Sequence, residues 1–254
     1  MDTVMFHDIR REHFDLPLDR FLLTFDDGLY SHYYYYPCFE NRAGCLTFFV
    51  PTAFIREGAA RPVFSGRFRD YQKSAAYAAA AFIGGDWSCF MTHEEVQVLA
   101  SRPNVRIGAH SHWHDIILTE VHPTKPKPAS PWRLQRFAHI PAAVLETMSI
   151  RSRLAFQGHE FRDGRLVARS EAQWEDYIKR DTESCLAWFD RHLQRVPSAY
   201  GFPFNEYCPK LIEILKSFGF GEFYAGSAVS HPEVIGRVDV DKLSAEPAGP
   251  AAQT

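Results

Sequence analysis

The chain has 254 residues, enough for one substantial domain, with 46% hydrophobic residues and a formal net charge of −3. That balance gives no basic footprint for nucleic acid and no polybasic patch for a membrane surface, so bulk electrostatics does not hold the substrate. No apolar stretch reaches the roughly 20 residues that cross a bilayer.

Met1-Asp2-Thr3-Val4-Met5-Phe6-His7 has neither the basic nor the apolar region of a secretory signal, which makes a cytoplasmic location the expectation. Five cysteines (Cys38, Cys45, Cys89, Cys185, Cys208) lack paired spacing. They read as reduced, buried thiols, not as a disulfide framework or a zinc cluster.

Strand-like and helix-like pieces alternate along the chain. Val4 to His7 is a short apolar run, and Phe21 to Phe25 is a second strand ending on an Asp pair. Ser31 to Tyr36 reads as a short helix stopped by Pro37, and Cys45 to Val50 as a third strand. Thr92-His93-Glu94-Glu95 has capping-box spacing ahead of Val96, Val98 and Leu99. Val105 to Gly108 is a strand leading into a histidine-rich segment. Glu171 to Leu193 has apolar residues at helical spacing (Trp174, Tyr177, Ile178, Cys185, Leu186, Phe189). A strand over Ser198 to Phe202, a helix over Lys210 to Phe218 and strands at Phe223 to Ala225 and Gly236 to Val240 follow. This order predicts a parallel α/β sheet or barrel with its site at the carboxyl ends of the strands.

Three stretches interrupt the rhythm and read as insertions over the mouth of the site. They are Ile55 to Gly85 with its alanine-rich helix, the proline-rich Val121 to Trp132 loop, and a hairpin over Phe161 to Val167 on the Asp163-Gly164 turn. Residues 1–243 form the domain, and the tail 244–254, rich in Ala, Gly and Pro, is expected to be disordered.

Two segments carry chemistry. Thr24-Phe25-Asp26-Asp27-Gly28 places adjacent carboxylates at a strand end. Ile107-Gly108-Ala109-His110-Ser111-His112-Trp113-His114 follows about eighty residues later. Its His110 and His114 are four apart, so one helical turn brings both imidazoles to one face. Two such nitrogens grip one divalent ion, and Asp27 completes a His2Asp set with an open position. Asp26 is then the general base. His112, between the ligands, points away from the ion. The four tyrosines Tyr33 to Tyr36 point all round a helix and read as core.

The TFDDG and H-S-x-x-H segments resemble the first two motifs of the polysaccharide deacetylases, the NodB-homology or carbohydrate esterase 4 family. Leu46-Thr47-Phe48-Phe49-Val50 is similar to the family's ATFFV strand. The resemblance implies a distorted (β/α)7 barrel that hydrolyses N-acetyl, sometimes O-acetyl, groups of carbohydrates. It implies that Asp26 is the base and that Asp27, His110 and His114 bind zinc, or cobalt, nickel or manganese. Gly201-Phe202-Pro203-Phe204 resembles the third motif, which gives the Phe204 N–H the role of oxyanion donor.

Gly201 stands where the family has an arginine beside the base, and Arg237 is a candidate replacement. No Leu-x-His general-acid motif stands near the C-terminus, where His231 matches poorly. Met5-Phe6-His7-Asp8 resembles that motif moved to the N-terminus, as in the circularly permuted biofilm poly-N-acetylglucosamine deacetylases, and makes His7 the general acid. Trp87 and Trp113, near the motif loops, are candidate sugar platforms. Deformylase or O-acetyl esterase activity, a catalytically silent carbohydrate-binding barrel and phosphoester hydrolysis stand as alternatives.

Overall fold

Seven short, largely buried strands close into a parallel barrel in the computed structural model, which describes residues 2–41, 44–70, 72–120 and 130–243. In chain order the strands are β1 (Thr3–Phe6), β2 (Leu22–Phe25), β3 (Leu46–Val50), β4 (Val105–Ala109), β5 (Ile116–Glu120), β6 (Met148–Ser152), β7 (His159–Arg162), β8 (Arg165–Ala168), β9 (Ala199–Gly201), β10 (Glu222–Gly226) and β11 (Val234–Asp239). The barrel order is β1-β11-β10-β9-β4-β3-β2, every pairing parallel. Strands covered on both faces need apolar side chains throughout, as in Leu-Thr-Phe-Phe-Val of β3, buried at all five positions. β1 lies between the last strand and β2, with Phe6 opposite Phe25. The N-terminal strand thus closes the barrel and sets His7 beside the Asp pair.

The helices are α1 (Tyr30–Phe39), α2 (Ser74–Phe82), α3 (His93–Ala100), α4 (Pro131–Gln135), α5 (Ala142–Leu145), α6 (Glu171–Leu193) and α7 (Pro209–Ser217). The capping box on α3 forms: Glu95 N–H donates to Thr92 Oγ1, and Thr92 N–H donates to Glu95 Oε2. Pro37 does not stop α1 at Tyr36. It sits in the last turn, where the helical hydrogen bond it removes lies close to the helix end. The helix continues to Phe39, whose buried ring packs on Phe6, Phe14 and Phe25. Tyr33 to Tyr36 are buried, and the Tyr34 hydroxyl donates to the Arg67 carbonyl while Tyr35 accepts the Arg69 N–H, so they fasten the following segment.

The hairpin on Asp163-Gly164 forms, but within a larger antiparallel sheet of order β6-β5-β7-β8 inserted between β4 and α6. The proline-rich loop is corrected at its end: Pro131 and Trp132 open α4, Pro at the first helical position being pre-set for helix. Residues 121–129 and 244–254 lie outside the described residues. Among those described, no helix is long and apolar enough to cross a membrane.

Candidate metal centre and active site

Asp26 and Asp27 follow β2 directly. The Asp26 N–H donates to the Phe6 carbonyl at 2.8 Å, which continues the β1–β2 ladder one residue further. Asp27 then enters the left-handed region (φ 75°) and Gly28 repeats it (φ 65°). This twist ends the strand's alternation and lets both carboxylates line one cavity of about 210 Å³.

His110 and His114 converge by a different route from the helical turn their spacing predicts. Residues 110–114 form an irregular loop with Ser111 (φ 67°) and His114 (φ 48°) left-handed. Ser111 Oγ accepts the His114 N–H at 2.8 Å. Asp181, buried in α6, accepts the His112 N–H and the Trp113 N–H, each at 3.0 Å. Helical hydrogen bonds are thus replaced by side-chain acceptors. His112 turns aside to Thr52 Oγ1 at 2.7 Å, as its position between the ligands predicts.

Among the described residues, seven non-glycine residues have positive φ, and five of them (Asp27, Ser111, His114, Phe204, Asn205) line or shape this cavity. The other two, Asp163 and Gln194, end a hairpin and a helix. Strain is therefore concentrated at the site.

Asp27, His110 and His114 fit one divalent ion. Asp27 Oδ1 lies 3.5 Å from His110 Nε2 and 3.4 Å from His114 Nε2, and all three ligand atoms fall within 4.8 Å of one another. Ligands held at about 2.0–2.1 Å by a tetrahedral ion stand about 3.3 Å apart. His110 Nδ1 lies 2.7 Å from the Gly201 carbonyl, so that nitrogen carries the proton and Nε2 faces Asp27.

Burial opposes the charge on Asp27, but other influences, led by the His110 hydrogen bond, prevail and hold its carboxyl well below the ordinary range. Burial also disfavours the His110 cation, yet Asp26 and Asp27 raise its pKa. His114, where burial dominates, is pushed down to about 3 and stays neutral with a free lone pair.

Arg237 answers the loss of the motif arginine. Its guanidinium grips Asp26 with Nη1 to Oδ1 at 2.6 Å and Nη2 to Oδ2 at 2.8 Å. Burial alone raises the Asp26 pKa, but Arg237, with His110 and His7, brings it below the ordinary value. Gly201 has no room for the arginine found in the family: a Cβ there meets Phe49 Cγ at 2.8 Å and His110 Nδ1 at 3.2 Å. Phe49 lies under the Arg237 guanidinium, 5.3 Å from ring to carbon.

His7 and Phe204 line the same cavity, and the Phe204 ring lies 4.4 Å from the His114 ring, tilted by 55°. Trp87 and Trp113 lie outside it. They line an adjoining cleft of about 400 Å³ that shares Phe54, Phe82, His114 and Trp132 with it. Asp181, Trp132, Arg133 and Asn205 were not singled out by sequence. Asp181 is 69 and 68 residues from its two N–H partners, and the others belong to an insertion or to the turn beyond Phe204, where spacing carries no signal.

The architecture is that of the polysaccharide deacetylases. The deacetylase domain of BpsB from Bordetella bronchiseptica superimposes with a TM-score of 0.57 at 15% identity, over 86% of this chain and 70% of that one. A de-N-acetylase from Aggregatibacter actinomycetemcomitans gives 0.58 at 13%, over 94% and 80%. IcaB from Ammonifex degensii gives 0.50 at 16%, over 92% and 76%. At these identities the likeness is one of fold. No family model matches the chain, and no curated protein sequence matches it.

Proposed function

We propose that the chain is a metal-dependent hydrolase that removes the N-acetyl group from an N-acetylated sugar, releasing acetate and the free amine. The observation that carries this reading is the meeting, in one cavity, of the Asp27, His110 and His114 donor set with a neighbouring carboxylate kept ionised by a buried guanidinium. Of the solved structures of the same fold, one is a deacetylase domain and another a de-N-acetylase, which supports the reading.

A divalent ion, zinc by the donor chemistry, supplies Lewis acidity toward the acetyl carbonyl oxygen and water. Asp26 takes the proton from the attacking water, and Arg237 fixes its orientation through both oxygens. The Phe204 N–H donates to the oxygen that gains charge, a contact worth roughly 3–4 kcal/mol where such donors have been removed. His7 gives a proton to the nitrogen as the C–N bond breaks.

The test is acetate release from N-acetylated monosaccharides, chito-oligomers and O-acetyl esters, using wild-type, metal-stripped and Asp26→Asn protein with bound metal quantified. Metal-dependent release that Asp26→Asn abolishes at full occupancy is the expected result. Release from esters alone reassigns the bond cleaved. No release from any substrate at full occupancy overturns the reading.

A further inference from the structure

The net charge of the chain is negative, yet a cationic side chain stands on the wall of the site. Arg133, from the inserted α4, lines the cavity that holds Asp26, Asp27, His110 and His114. Its guanidinium lies 4.5 Å from the centre of the Phe204 ring, which in turn lies 4.4 Å from His114, so it stands within about 9 Å of the ion-binding imidazole. Among the described residues it makes no hydrogen bond and no ion pair. Glu206, the carboxylate whose field reaches it, is engaged by Arg151 Nε and the Ser152 N–H, both at 2.6 Å. Asp27, the other, belongs to the donor set. A half-buried guanidinium without a counter-ion is costly, which makes it a ready receptor for an anion.

The adjoining cleft also carries guanidiniums on its wall. Arg136, Arg153 and Arg180 line it with Asp115 as the one carboxylate, beside Trp87, Trp113 and Trp132. Asp115 is shared by Arg136 at 2.8 Å and Arg153 at 3.3 Å, while Glu160 and Asp176 pair with Arg153 and Arg180 from outside. These three guanidiniums are thus paired, which leaves Arg133 as the guanidinium open to an anion, with the aromatic rings beside it to face a sugar.

We infer that the substrate is an anionic glycan or glycosyl phosphate, with a carboxylate or phosphate on or next to the sugar that bears the acetamide, and that Arg133 receives this anion. The inference rests on the deacetylase reading. It makes Arg133 a specificity residue on a wall of the site, separate from the chemistry at Asp26.

The experiment compares acetate release from N-acetylglucosamine and chitobiose with release from N-acetylglucosamine 1-phosphate, N-acetylglucosamine 6-phosphate and a disaccharide of glucuronate and N-acetylglucosamine. Wild type is expected to favour at least one anionic substrate by about ten- to hundredfold in kcat/KM, carried by KM and weakened by salt. The three anionic probes separate phosphate from carboxylate. Arg133→Gln is expected to bring the anionic-to-neutral ratio near one, and Arg133→Lys to restore part of it. Equal rates on neutral and anionic substrates, or a proportional loss on both in Arg133→Gln, overturn the inference and leave the deacetylase reading standing. If nothing is deacetylated, that reading falls, and equilibrium binding of the same two sugar phosphates decides the anion site. Binding lost in Arg133→Gln supports it, and no binding by wild type overturns it.

Discussion

Replacing Arg237 with methionine tests the central electrostatic claim. Arg237 and Asp26 are 0% and 1% exposed, and the pair is joined through both carboxylate oxygens. The guanidinium also donates to the Ala225 carbonyl, Thr24 Oγ1 and Asn205 Oδ1. Methionine keeps most of the apolar stem but leaves Asp26 as an uncompensated buried charge. Breaking a buried pair from one side costs about 3–5 kcal/mol. In a domain of this size that lowers Tm by roughly 6–20 °C.

In wild type the Asp26 carboxyl is depressed. The pair's stabilisation is therefore present above the ordinary carboxylate pKa and lost as pH falls through the lower folded value. In Arg237→Met burial loses its main opponent and the carboxyl rises, so the variant's deficit grows as pH increases. Chemical denaturation across pH 4–8 reads both effects. The double variant Arg237→Met/Asp26→Asn removes the stranded charge and is expected to recover part of the loss. A single-variant loss below about 1 kcal/mol, or a double variant no more stable than the single, refutes the argument.

Zinc is expected to raise Tm in proportion to its binding, with about 2.7 kcal/mol gained at a hundredfold excess over Kd, and His114→Ala or Asp27→Ala to remove that gain in a thermal-shift titration. Asp181→Asn replaces one acceptor by a donor against the His112 and Trp113 N–H groups, so it is expected to lose about 1–3 kcal/mol and to weaken zinc binding in a metal-competition assay. Burial pushes Asp181 up to about 7, so between the ordinary carboxylate pKa and 7 the folded state holds an extra proton. Wild-type stability at this residue therefore falls as pH rises through that window, while the asparagine variant lacks this slope in paired urea titrations. Restoring the family residue with Gly201→Arg is expected to destabilise the protein by about 1–3 kcal/mol or more and to lower zinc affinity, because the new Cβ meets Phe49 and His110.

The barrel was legible where the signal is local. Leu46 to Val50 is apolar at nearly every position because a central parallel strand is covered on both faces, and α6 shows its period over 23 residues. The inserted sheet was legible only at its Asp163-Gly164 turn. β5 and β6 pair Ile116 with Ser152 across a long intervening segment, which leaves no mark in either strand. The donor set was legible as a set but not as a geometry. Spacing brought His110 and His114 together on paper through a helix, whereas the chain does it with two left-handed residues and a carboxylate from α6.

The arginine explains how a contact missing at one motif position can be supplied from another strand. Asp26 is met by a guanidinium at both its oxygens, and barrel closure brings several strands close enough to supply one. β11 pairs with β1, and β1 pairs with β2, so Arg237 stands two strands from Asp26 while 211 residues away in sequence. Once the guanidinium comes from β11, β9 is free to close up. Gly201 lets Phe49 and His110 approach, and its carbonyl takes the His110 Nδ1 proton at 2.7 Å. The glycine that reads as a defect in the motif is thus a condition for orienting His110. The two substitutions are coupled: introducing an arginine at 201 is expected to disturb the His110 hydrogen bond even in an Arg237→Met background, where a simple exchange of roles predicts rescue. Zinc affinity and thermal stability of the Gly201→Arg/Arg237→Met double variant decide between the two, and recovery to wild-type values on both refutes the coupling.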